Sequence, residues 1–187
     1  ISAVSTGRNH FFGNGVEEML VVIEKGENLY VKEKSKTPLT LTTTVPLQEL
    51  VMKRREERVE ATLDEVFSKV SGVFKEGGTY HGCMQKEKGD DFILDTLDGR
   101  IYSFTVTRAT ISSGDVQRQL ELEYAGYVPG FVGFKENDEQ QIVKGMVALA
   151  TSVYALHQEV PFAPGVSLRV QPTNERKYDF IRQGTEA

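Results

Sequence analysis

The chain has 187 residues, 39% of them hydrophobic and 26% charged, and its 27 acidic and 22 basic residues give a net charge of -5. These are globular proportions, which exclude a disordered or collagen-like chain. No apolar run reaches the ~18 residues of a bilayer span, because the longest candidate, Ile142 to Leu156, contains Lys144; no membrane partner is expected.

An acidic chain attracts polyanions only where its cations are segregated or where a basic partner supplies them. The single cysteine, Cys83, excludes an internal disulfide. His81, two residues before it, falls on the same face of an unbroken strand, and the pair reads as a small buried thiol beside a surface imidazole.

In chain order, residues 1 to 15 are rich in Gly and Asn and read as a flexible N-terminal arm anchored by Phe11 and Phe12. Strands are predicted at Met19 to Glu24, Leu29 to Lys34 and Leu39 to Val45, from their β-branched content and the intervening turn residues. Pro46 suits a first helical turn, and apolar residues from Leu47 to Val70 recur at three- and four-residue steps, so a helix is expected there. Thr62 with Glu65 fits a capping box, which allows a second helix to begin near Ala61. Four strands follow, near Thr79 to Lys88, Asp91 to Thr96, Arg100 to Ile111 and Val116 to Tyr124, and their short connections join antiparallel neighbours. A helix from Asp138 to His157 is apolar around more than half its circumference and should be well buried. A C-terminal tail, 159 to 187, holds one strand signal at Val166 to Val170. The whole is α+β, with two antiparallel β-sheets each followed by a helix and one duplicated domain over 16 to 158.

The basic residues are patterned. Lys32 and Lys34 alternate onto one strand face with Tyr30, and Lys36 follows; Lys86 and Lys88 share a face with Gly82 and Met84; Arg100, Tyr102 and Arg108 share a third. Arg118 lies in the next strand. A sheet surface of amines, guanidinium groups and rings can follow a phosphate backbone; the plain alternative is an ordinary solvated sheet face. Lys53, Arg54, Arg55 and Arg58 form a further basic cluster, interleaved with Glu56, Glu57 and Glu60, which a solvated mixed-charge helix face explains as well. Glu121 and Glu123 point to one side of a strand, a spacing compatible with a divalent cation or with any half-exposed strand. No nucleophile-base spacing, phosphate loop or His pair is present, so no catalytic residue, metal or cofactor is assigned.

The order strands, helix, strands, helix resembles the Whirly fold, which includes plant single-stranded-DNA-binding proteins and kinetoplastid mitochondrial proteins that anneal guide RNA to messenger RNA. The local match is Lys34-Ser35-Lys36-Thr37-Pro38-Leu39-Thr40-Leu41-Thr42-Thr43-Thr44-Val45-Pro46-Leu47-Gln48-Glu49-Leu50, with Phe134-Lys135-Glu136-Asn137 entering the closing helix. The resemblance implies single-stranded RNA held across the sheets by Lys32, Lys34, Lys36, Lys86, Lys88, Arg100, Arg108 and Arg118, with Tyr102 stacking, in a heterotetramer with a more basic related subunit. It also implies a mitochondrial matrix location, with which the Ile1 start is consistent. A second resemblance, in Asp98 to Tyr124 with its terminal Leu-Glu-Leu-Glu and in Lys53-Arg54-Arg55, is to triphosphate-tunnel (CYTH-like) proteins, and it implies a metal-dependent triphosphate hydrolase or a catalytically silent relative.

Overall fold

The computed structural model describes residues 2–33, 40–45, 48–53, 58–97, 99–130, 139–159 and 176–185. The chain is α+β. Its strands are β1 (Ser2–Gly13), β2 (Glu18–Lys25), β3 (Asn28–Glu33), β4 (Thr40–Val45), β5 (Gln48–Lys53), β6 (Val59–Ala61), β7 (Thr79–Leu94), β8 (Arg100–Ile111) and β9 (Val116–Tyr127). Its helices are α1 (Leu63–Lys75), α2 (Glu139–Glu159) and α3 (Lys177–Thr185).

Seven strands form one antiparallel sheet in the order β6-β3-β2-β1-β7-β8-β9, and β4 pairs only with β5. The expectation of two sheets, each followed by a helix, is corrected: apart from β4, which pairs with β5, what reads as two sets of strands is a single sheet. The strand that merges them is β1, which pairs with β2 on one side and β7 on the other. Residues 2–13 are therefore the centre of the sheet rather than a loose arm. Their Gly and Asn content, and the lack of a period-two apolar pattern, hid the strand.

Residues 48–53, expected to be helical, are β5 and pair with the Thr-rich β4. The helix starts later, where the sequence carries its cap. Thr62 accepts from the Glu65 N–H at 3.3 Å and Glu65 accepts from the Thr62 N–H at 2.7 Å, closing a capping box.

The sheet has a different core on each face. On one, Val66 and Val73 of α1 pack on Phe12, Leu20, Val22 and Val31. On the other, Tyr178 and Ile181 of α3 pack on Phe11, Val21, Met84 and Ile111. The tail thus supplies a core helix. Its start is held by Asp179, which accepts from the Arg176 N–H at 3.0 Å and from the Arg176 guanidinium at 2.7 Å. The segment expected as a strand at Val166 to Val170 lies outside the described residues. At the β8–β9 end, α2 passes over Tyr102 so closely that Gly145 has no room for a Cβ, and Tyr102 meets Tyr124 edge to face. No helix among the described residues is long and apolar enough to cross a membrane.

Candidate anion-binding face

Register assigns the side chains of the α3 face. Across β7, β8 and β9 the rows are Lys86–Ala109–Gln117, Lys88–Thr107–Gln119 and Asp90–Thr105–Glu121. On β1, the residues opposite Lys86 and Lys88 are Gly7 and Ser5, too small to crowd them. Lys32 of β3 is opposite Val21, a member of the same core, so it joins this face. From above, Lys177 of α3 reaches down to donate to Glu121 at 2.6 Å.

Four ammonium groups thus gather on one face. They sense each other: burial drives the Lys86 pKa down, with further lowering from Lys177, Lys88 and Lys32 against the opposing pull of Glu121, to about 7. Burial opposes ionisation of Glu121, but the neighbouring Lys177, Lys86 and Lys88 outweigh it and hold the carboxyl below its ordinary range. Between the charges lies a polar floor. Thr105 and Thr107 are fully buried; Thr105 donates to Asp90, while Thr107 Oγ1 has no hydrogen-bond partner among the described residues. A buried hydroxyl without a partner costs on the order of 1–3 kcal/mol. Asp90 and Glu121, with Glu123 one row further, bound the cationic region at one end.

The candidate residues from the sequence divide. Lys32, Lys86 and Lys88 come together as above. Lys34 and Lys36 lie outside the described residues. Arg108 and Arg118 are paired with each other on the opposite face, both exposed, with Arg108 3.7 Å from Glu87. Arg100 and Tyr102 are 4% and 2% exposed, so neither offers its side chain to an outer surface. The cations therefore form no single outward track. Lys177 was missed because it sits in a segment with no strong periodicity; its neighbours Tyr178 and Ile181, three apart, were the only hint of a buried helix face.

The His81 and Cys83 side chains do not share a face. Phe11 pairs with Gly82 but Phe12 with Tyr80, so His81 is an extra residue in β7. Gly82 takes φ +120°, a conformation that side chains disfavour, and makes this bulge. His81 consequently turns to the α3 face, with Nε2 3.2 Å from the Tyr178 hydroxyl and 3.2 Å from the Gly13 carbonyl. Cys83 lies opposite His10 on the other face, and burial pushes its thiol pKa up, which makes it a poor nucleophile. Elsewhere, a hollow of about 340 Å³ between β3, β6 and α1 is lined by Val31, Val59, Glu33, Glu60, Glu65 and Lys69.

The chain matches no family model, no curated protein and no solved structure.

Proposed function

We propose that the α3 face binds a compact, multiply charged phosphate anion of the tripolyphosphate or nucleoside triphosphate class. The observation that carries this reading is the grouping of Lys32, Lys86, Lys88 and Lys177 over a polar floor, with Lys86 desolvated and repelled by its neighbours. An anion of several charges would relieve that repulsion, restore full protonation of Lys86 and accept from several ammonium groups at once. A compact ligand fits better than an extended one because these lysines share a face with a helix lying over it, and the two exposed arginines are on the far side of the sheet. This is the ligand class implied by the triphosphate-tunnel resemblance, taken as binding and without an assigned hydrolytic step.

Titration calorimetry with tripolyphosphate and with a single-stranded oligouridylate, each with and without Mg²⁺, tests it. Tripolyphosphate should bind with heat that shrinks as salt rises. Combining Lys86→Ala with Lys88→Ala should weaken it by roughly 10- to 100-fold, on the scale of charge-assisted hydrogen bonds. Arg108→Ala with Arg118→Ala should leave it unchanged. Tighter binding of the oligonucleotide, lost with the two arginines and indifferent to the lysines, would overturn the proposal and support single-stranded RNA on the opposite face.

A further inference from the structure

We infer that α1 is a contact surface between two copies of this chain, packed antiparallel about a twofold axis through a seam of Leu63, Phe67, Val70 and Phe74. These residues recur at steps of four, three and four, the spacing that draws side chains into one line along a helix and lets two helices interlock. Leu63, Phe67 and Phe74 are 55%, 60% and 52% exposed and Val70 between them is half-buried at the edge of the chain's own core, although α1 already buries Val66 and Val73 against its own sheet. A helix that served only to cover the sheet would place charged or polar side chains on this line. The seam is also firm: the Thr62–Glu65 capping box fixes its start, and Phe74 packs edge to face on Phe12 at its end.

Charge identifies the occupant as a second copy. The first turn of α1 carries Asp64 and Glu65, and the last carries Lys75. Antiparallel pairing sets the acidic turn of each helix beside the basic turn of the other, at both ends, and opposes the two helix dipoles. Parallel pairing would set Asp64 against its own copy. In the antiparallel arrangement Leu63 meets Phe74 of the second copy, and Phe67 meets Val70. The seam is about 20 Å long, from thirteen residues at ~1.5 Å each. That is short beside the ~800 Å² per partner of a standard interface, so the association belongs to the weak, reversible class. Because α1 and the lysine face lie on opposite sides of the sheet, this pairing leaves the proposed anion site open, and either idea can fail without the other.

Sedimentation velocity of the full chain over a series from low to high micromolar concentration reads the equilibrium directly. A monomer–dimer transition is expected. Phe67→Glu, at an exposed position, should weaken it by about 100-fold or more, as two rings lose their burial, with the circular dichroism spectrum unchanged. Asp64→Lys or Lys75→Glu alone should each weaken it by roughly three- to tenfold, and the two together should restore it. A monomer at every concentration, a dimer indifferent to Phe67→Glu, or a double reversal that fails to restore association would each overturn the inference.

Discussion

Lys86 lies across from Gly7 on β1 and Ala109 on β8, so neither residue directly opposite it offers an acceptor side chain. Burial and the nearby lysines hold its pKa at about 7, whereas an unfolded lysine titrates near ~10.4. Between those values the unfolded chain binds more protons, so stability rises with pH from about 7 towards 10. Thermal unfolding followed from pH 6 to 9.5 should show this climb, and Lys86→Met should flatten it. Glu121 and Asp179 act with the same sign in a lower pH window. Burial opposes ionisation of Glu121 but its lysine neighbours prevail, and the Arg176 hydrogen bonds lower Asp179. Both contribute stability above the unfolded carboxylate range and lose it as pH falls through their folded values. A phosphate ligand couples to Lys86 with a definite sign. If binding restores full protonation, affinity for tripolyphosphate falls by up to tenfold per pH unit above about pH 7. Calorimetry at pH 8 in buffers of different ionisation enthalpy should then report proton uptake; equal heats in all buffers would remove the link between Lys86 and the ligand. The lysines on β3 and β7 were legible in the sequence because period two fixes which side chains share a strand face. That the two strand faces coincide was not, since it depends on β1 and β2 lying between them.

At the scale of elements, α3 shows how a short segment is held. It has nine residues and a polar composition, so its own propensity is weak. It stands because Tyr178 and Ile181 are buried and its first turn is tied. The Gly15 N–H donates to the Tyr178 hydroxyl at 3.0 Å, the Arg176 guanidinium donates to the Val16 carbonyl at 3.2 Å, and Asp179 satisfies the first turn. Tyr178→Ala should cost about 3–5 kcal/mol, the range for emptying a buried aromatic site, and Asp179→Ala about 1 kcal/mol, as for a lost cap. Urea denaturation measures both, and near-equal losses would mean that α3 is held by its first turn rather than its core. The same comparison explains what was legible among the elements. β8 and β9 alternate strongly and end in turn residues, and α1 and α2 carry a cap or a long apolar periodicity. The two strands expected at Thr79 to Lys88 and Asp91 to Thr96 are instead the single strand β7, because Gly89 and Asp90 stay paired with β1 and β8 instead of turning. The helix expected over Pro46 to Val70 failed in its first half because Leu47, Leu50 and Val51 satisfy a three- and four-residue spacing by chance, while pairing with β4 decides the outcome.

For the whole molecule, one sheet buries a separate core on each side, so damage to one face should not empty the other. Val73→Ala under α1 and Ile181→Ala under α3 lie in different clusters, and their destabilisations should add to within about 0.5 kcal/mol; strong coupling in a double-mutant cycle would mean that the sheet transmits packing strain between its faces. The α+β class was legible, because both helical and alternating patterns are present. The single sheet was not, because no local pattern reports that the opening residues pair with two strands far apart in sequence.

That arrangement also sets an order of events during synthesis. β1 meets β2 as soon as the intervening turn emerges from the ribosome, but its other neighbour, β7, is translated only after β6 and α1. Until then a twelve-residue strand carrying Phe11 and Phe12 presents an open row of amides and carbonyls to solvent or to the next nascent chain. Such an edge invites exchange between polysomal neighbours and aggregation, so this chain should depend on chaperone shielding during the interval in which its middle third is being made.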